Sequence, residues 1–281
     1  MRSCWRVGVT VAASAVLVAA TAYSLGWLAG TTAGPEAPRG APPASGSRPH
    51  VDGPARVRPA PPPVKRPRAP TTRRPGTADR HGPWGAWVST GTRGVALTFD
   101  DGPDPRWTPD VLGLLRRYRV RATFCLVGRE AARHPRLVRA IAAGGHTLCN
   151  HSWRHDLDLG RRSPAAIRAD LVATTRAIER AAPGATVHYF RQPGGRWRER
   201  VVAAARGLGM TSLHWSVDAR DWRRPGRRAI VGITLRHTGP GSIILLHDGG
   251  GVRAGTVAAL RELLPSLTSR FALVAPATRA P

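Results

Sequence analysis

Two pairs of ionisable residues raise the question of chemistry: Asp100-Asp101 in VALTFDDGP, and His151 with His155 in HSWRH. Val95 to Phe99 is a short β-branched and aromatic run typical of a buried strand, and Gly102-Pro103 punctuates its end. Neighbouring side chains on extended backbone diverge, so the two aspartates can serve different partners. Turn-forming aspartates at an ordinary strand end are the plainer alternative. His151 and His155 share a face if the segment between them turns helically. Two imidazoles with a carboxylate from another strand end would hold a metal ion and leave positions open, and Asp101 is the candidate carboxylate. Such an ion acidifies water and polarises a carbonyl oxygen. A pair of surface histidines is the plainer alternative here.

The elements that must position these groups are legible as an alternation. Strand-like runs cover 95–99, 122–127, 146–149, 187–190, 211–215, 242–246 and 271–274, with amphipathic segments between them. Thr108-Pro109 and Ser163-Pro164 each read as an N-cap followed by a first-turn proline, and Gly144-Gly145 reads as a helix stop. About seven strands alternating with helices predict a parallel α/β fold, a distorted (β/α) barrel with fewer than the usual eight repeats. Chemistry then belongs at the C-terminal ends of the strands. Asp100-Asp101, Asn150-His151, Arg191, Asp218 with Asp221-Trp222, and His247-Asp248 all fall there.

Composition divides the rest of the chain. Residues 1–30 begin with Arg2 and Arg6 and then run almost without charge, as a signal peptide or a membrane anchor would. Residues 31–83 are rich in Pro, Ala, Gly and Arg and have too few large apolar residues to offset ordering entropy, which predicts a disordered linker. The catalytic domain is expected over 84–281, secreted or membrane-anchored on the extracytoplasmic side.

The formal net charge of +26 would ordinarily suggest nucleic acid. The basic residues are nearly all arginine, Lys65 being the only lysine, and they are spread over every expected helix without a recognition motif. We therefore expect no nucleic acid, and anionic envelope polymers as the partners of this charge. Cys4 lies in the leader. Cys125 and Cys149 each fall in an expected strand, where they are either two small buried residues or, outside the cytoplasm, an oxidised pair.

TFDDGP (98–103), NHSWRH (150–155), FRQPGG (190–195), WSVDARDW (215–222) and IILLHD (243–248) together resemble, in order, the five motifs of the polysaccharide deacetylase or NodB-homology family of carbohydrate esterases. The resemblance implies a metal-dependent enzyme that removes acetyl groups from glycans. It implies Asp100 as general base, Arg191 as its partner, and Asp101, His151 and His155 as ligands of one divalent ion, zinc first, with cobalt, manganese and iron also accepted. His247 would be the general acid and Asp218 the residue that orients it. The Gly194 N–H would stabilise the oxyanion, and Trp222 and Leu245 would wall a slot for the acetyl methyl.

Three departures from the family pattern stand out. The third motif usually reads Arg-Pro-Pro-aromatic-Gly, whereas Gln192 and Gly194 stand here, and Trp197 is the expected replacement for the missing sugar-stacking aromatic. Cys149 replaces a frequent glycine and Cys125 a frequent phenylalanine, on strands that would be neighbours. The expected substrate is an N-acetylglucosamine polymer of the envelope, with peptidoglycan ahead of chitin oligomers. A linker tethered by an uncleaved leader would reach roughly 40 Å from a membrane. The alternative is a non-catalytic glycan- or polyanion-binding envelope protein. A monomer is expected.

Overall fold

The computed structural model describes residues 81–276, so the expected leader, nearly all of the expected linker and residues 277–281 lie outside the described part. Seven parallel strands form one curled sheet. They are β1 (Ala96–Asp100), β2 (Thr123–Leu126), β3 (Thr147–Asn150), β4 (Val187–Phe190), β5 (Thr211–Ser212), β6 (Val217–Asp218) and β7 (Ile243–His247). Their order in space is β5-β4-β3-β2-β1-β7-β6. Helices α1 (Thr108–Arg117), α2 (Gly128–Arg133), α3 (Pro135–Ala143), α4 (Pro164–Ala181), α5 (Glu199–Arg206), α6 (Arg227–His237) and α7 (Ala254–Thr268) fill the connections. This is the distorted (β/α) barrel that the alternation predicts. Among the described residues no helix is long and apolar enough to cross a membrane.

The membership of the strand set differs from expectation at one place. Residues 271–274 do not form a strand, and Leu273 makes only an isolated parallel bridge with Val95. The seventh strand is instead β6, whose two residues are too few to show a period.

Side chains alternate across the sheet, and the two faces differ in kind. Leu97, Phe99, Phe124, Leu126, Leu148, Ile244 and Leu246 pack outward against the helices in the main core. Each such fully buried side chain contributes about 1.5–3 kcal/mol, so this outer layer holds the fold. The inner cluster is small, consisting of Ala96, Cys125, Cys149, Tyr189, Leu213 and Ile243. It leaves the inner face free for polar groups at the strand ends. Along β1 that face carries Ala96, Thr98 and Asp100, and along β7 Ile243, Leu245 and His247, with Asp100 paired in register with His247.

Cys125 and Cys149 are paired in register, their Cα atoms are 4.2 Å apart, and they form a disulfide. The oxidised pair is thus the correct one of the two sequence readings. Ser163 caps α4 by accepting from the Ala166 N–H, and Gly144-Gly145 ends α3 with Gly145 at φ 72°, both as the sequence predicts. Thr108 differs. It is the first residue of α1 and not its cap: its hydroxyl accepts from Asp104 N at 2.8 Å and donates to Asp248 Oδ2 at 2.6 Å.

Candidate metal centre and acid-base site

Asp100 is the last residue of β1 and is buried. Its Oδ1 accepts from Arg191 Nη1 at 2.7 Å, and its Oδ2 lies 3.6 Å from His151 Nε2. Arg191 is fully buried, which rules out a solvated surface cation. Its other bonds go to Thr98 Oγ1 at 2.8 Å, Leu213 O at 3.1 Å and His214 O at 3.0 Å. A buried charge must be paired and hydrogen-bonded, and this one is both. Its rigid anchoring fixes Asp100 through a single oxygen and leaves the other for chemistry.

Asp101 follows the strand with φ 76°, a left-handed backbone that turns its side chain away from that of Asp100. Its Oδ1 lies 3.5 Å from His151 Nε2 and 3.2 Å from His155 Nε2, is buried, and has no hydrogen-bond partner. One ligand atom from each of these three residues lies within 4.8 Å of the others. Burial alone would raise the Asp101 pKa, but the interaction with His151, the charge of His247, and the charges of His151 and His155 while those rings are protonated outweigh it and hold the carboxyl well below the usual range.

The tautomer of His151 follows from its partner. Nδ1 is 2.8 Å from the Arg191 carbonyl, which can only accept, so Nδ1 carries a proton and, in the neutral ring, Nε2 presents a lone pair. Burial, and then the neighbouring His151, push the His155 pKa down and favour its neutral form. An orphaned carboxylate oxygen facing two imidazole nitrogens is the donor set that a divalent cation requires, so these residues fit the group.

The histidines do not share a helix face. Residues 151–156 form an irregular loop with Ser152 at φ 61° and His155 at φ 55°. Ser152 N donates to Asn150 Oδ1 at 3.0 Å, and Trp153 N donates to Asp170 Oδ1 at 2.8 Å on α4. These bonds hold the loop in a shape that brings the rings to 5.1 Å. Gln192, at a departing position of the third motif, donates to the Asp156 and Leu157 carbonyls at 3.2 and 3.4 Å and so braces the same loop.

His247 ends β7, and here the sequence-based assignment of its partner is corrected. Asp221, not Asp218, accepts from His247 Nδ1 at 2.7 Å through Oδ1. Its Oδ2 accepts from His247 N at 2.9 Å and from Thr256 Oγ1 at 2.8 Å. Asp218 instead accepts from Arg220 N at 2.7 Å and from Trp222 Nε1 at 3.5 Å, which holds the turn after β6. Asp221 is buried where Asp218 is half-buried. Two aspartates three residues apart carry the same signal in sequence, and only the tight turn decides between them. Burial lowers the His247 pKa, but the bond and charge of Asp221, with Asp101 and Asp100 further off, more than reverse this and raise it to about 9.

The residues expected to touch substrate are divided. Gly194 is exposed on the rim at φ 61°. Leu245 is buried on the inner face one pair below His247, and β6 pairs with it through Asp218, to which Trp222 is bonded. Trp222 itself is 47% exposed. Trp197 is not available for stacking. It is only 8% exposed, packs edge-on against Phe190 and donates to His214 Nδ1 at 3.1 Å. Its large apolar ring belongs to the main core beside Phe190, a role that its place just outside the third motif does not reveal. An open cavity of about 440 Å³ adjoins the metal set and is bordered by Asp101, His155, Asp104, Val127, His134 and Gly250.

In the sequence Asp248 is marked only as the end of a motif. It is fully buried below Gly102, where an added Cβ would stand 2.5 Å from its oxygens, and its N–H donates to Asp100 O at 3.1 Å. Burial pushes its carboxyl up to about 7.

Comparison with known proteins agrees with this geometry. The sequence profile of the family described as polysaccharide deacetylase matches residues 88–213. A chitooligosaccharide deacetylase of Bradyrhizobium sp. (strain ANU 289) is 43% identical over 192 residues, covering 64% of this chain and 87% of the relative. A peptidoglycan-N-acetylglucosamine deacetylase of Bacillus cereus is 39% identical over 175 residues, covering 62% of this chain and 81% of the relative. Among solved structures, a CE4 family pseudoenzyme from Bacillus anthracis superposes with a TM-score of 0.62 at 28% identity, over 67% of this chain and 66% of that one. A shared fold therefore does not by itself carry activity, and the side chains at the site must. Their five motif segments meet on one rim, and with most of the rhizobial relative's length matched at 43% identity, the chain belongs to the polysaccharide deacetylase family.

Proposed function

We propose that this protein is a metal-dependent hydrolase that removes acetyl groups from N-acetylglucosamine residues of an envelope glycan, with peptidoglycan ahead of chitin oligomers. The observation that carries the reading is the convergence of a buried, arginine-anchored carboxylate, an orphaned Asp101 oxygen facing two imidazoles, and a carboxylate-backed His247 on one rim. A divalent ion held by Asp101, His151 and His155, zinc in our reading, would supply Lewis acidity toward water and the acetyl carbonyl.

The chain's own residues divide the remaining work. Asp100 accepts the proton of the attacking water through its free oxygen, while the Arg191 guanidinium holds the other oxygen and keeps the carboxylate aimed. The Gly194 N–H stabilises the oxyanion, and Trp222 with Leu245 flanks the acetyl methyl. His247 protonates the departing nitrogen, which leaves poorly as an anion, and Asp221 fixes its tautomer and charge. The disulfide supports an oxidising, extracytoplasmic setting. Acetate release from a panel of N- and O-acetylated glycans tests the substrate. Turnover of peptidoglycan and N-acetylglucosamine oligomers is expected, and release from acetylated xylan alone would overturn the assignment.

The identity of the carboxylate behind His247 can be read from two variants. Asp221→Ala is expected to lower kcat by about 10²-fold or more, because the acid loses its orientation and charge. Asp218→Ala should change kcat far less. Equal losses in the two would remove the distinction drawn here.

The pH dependence follows with a definite sign. His247 acts in its protonated form, and a raised pKa keeps that form present above pH 6.5 and loses it only as pH climbs toward about 9. The share due to Asp101 and Asp100 is lost when those carboxylates face a cation, but the share due to Asp221 stays. The alkaline limb of kcat/KM is therefore expected well above the ordinary histidine range. In Asp221→Asn it should move down, since burial then acts unopposed. An unmoved limb would mean that another group sets it.

A further inference from the structure

The loop after β7 reads Asp248-Gly-Gly-Gly-Val-Arg253, and its last residue has no part in the chemistry above. Arg253 stands at the start of α7 and is only 4% exposed. Its Nε donates to Gly249 O at 2.6 Å, its Nη2 to Gly250 O at 3.3 Å and its Nη1 to Asp221 O at 3.5 Å. All three acceptors are neutral carbonyls, although a buried cation calls for a counter-charge. Among the described residues, the carboxylate within ion-pair range is that of Asp101, with Oδ2 at 3.9 Å from Nη2.

Asp101 thus presents its two oxygens to two different surroundings. Oδ1 faces the His151 and His155 nitrogens. Oδ2 faces Arg253 and the bare backbone of Gly250, where an added Cβ would stand 2.3 Å away; one on Gly249 would stand 2.5 Å from the Asp101 carbonyl. At φ 76° just beyond β1, Asp101 has no regular element to aim it, so its direction depends on what touches it.

We propose that Arg253 is a positioning residue for Asp101. Its guanidinium draws Oδ2 into the glycine-lined recess and thereby turns Oδ1 toward the imidazoles, so that the carboxylate offers one oxygen to a metal. The same fork holds the Asp221 backbone, which links the metal side of the site to the His247 side through one buried side chain. Lysine has a single nitrogen and cannot span these three carbonyls. The inference rests on the reading of Asp101, His151 and His155 as a metal set.

Two physical effects of Arg253 have opposite signs, which makes the test decisive. As a nearby positive charge, Arg253 repels a divalent cation, so charge alone predicts tighter metal binding when it is removed. As a positioning residue, it must be present for full affinity, and loss of such an outer partner weakens binding by about 10–100-fold. Zinc and cobalt affinities of the full chain would be measured by competition with a chromophoric chelator, for wild type, Arg253→Met, Arg253→Lys and Asp101→Ala. Thermal melts of the metal-free proteins check folding.

The expected result is weaker metal binding in Arg253→Met, a smaller loss in Arg253→Lys, and a changed visible spectrum of the cobalt form of Arg253→Met. Activity of Arg253→Met at saturating metal should recover more than activity at limiting metal. If Arg253→Met does not fold, the lysine variant decides alone. Wild-type or tighter binding in whichever variant folds, with Asp101→Ala unable to bind, would overturn the role of Arg253 and leave the metal set standing. No binding by the wild type would instead remove the metal set itself.

Discussion

Asp101→Ala is expected to lose metal binding and acetate release together. Three protein ligands are the minimum for a catalytic site of this kind, and removal of one leaves two imidazoles that cannot retain the ion at ordinary concentrations. The variant has a second effect that must be separated. Asp101 sits at φ 76°, where alanine is disfavoured by about 1–2 kcal/mol while asparagine tolerates the conformation. Asp101→Asn therefore retains the backbone and the shape and removes only the anionic ligand. Metal content by elemental analysis should fall in both variants, and the thermal midpoint should fall more in the alanine one. Stoichiometric metal in the asparagine variant would remove Asp101 from the ligand set.

Asp100→Asn is expected to separate what Asp101→Ala loses together. Asparagine keeps the shape of the side chain but cannot take a proton, so kcat should drop by about 10²–10⁴-fold with the metal still bound. There is a cost to folding as well. Arg191 is fully buried and Asp100 is its charged partner at 2.7 Å, and taking away one side of such a pair typically destabilises by about 3–5 kcal/mol. The assay belongs at a temperature well below the variant's own melting point, with circular dichroism confirming the native state. Near-normal acetate release there would end the assignment of Asp100 as base.

The outer layer of the fold was legible because its physics is local and periodic. Leu97, Phe99, Ile244 and Leu246 announce buried strands by type, and Ser163-Pro164 announces a helix start by a bond it then makes. The same holds for the site wherever a residue is fixed by its place at a strand end, as Asp100, Arg191 and His247 are. It fails where a turn decides. Asp218 and Asp221 are both aspartates after one short strand, and only the backbone around Arg220, at φ 54°, sends Asp221 inward to His247 and leaves Asp218 to bond the turn. His151 and His155 stand at helical spacing in the sequence, yet their convergence comes from a loop held locally by Asn150 and at long range by Asp170 and Gln192, and the long-range bonds have no sequence signature.

Trp197 shows the opposite error. Its aromatic type suggests a sugar platform, whereas packing against Phe190 and a bond to His214 bury it in the core. Arg253 was hidden for a different reason. In a chain with 43 basic residues, one more arginine carries no signal until its burial is known.

Metal-dependent hydrolysis of N-acetyl groups is tested most directly by removing the metal and restoring it. The full chain would be stripped of metal with a chelator and dialysed, then assayed for acetate release from purified peptidoglycan and N-acetylglucosamine oligomers before and after zinc or cobalt is added back. The expected result is no release from the stripped protein and recovery upon addition of about one equivalent of metal, absent throughout in Asp101→Asn. Undiminished release from protein shown by elemental analysis to be metal-free would contradict it.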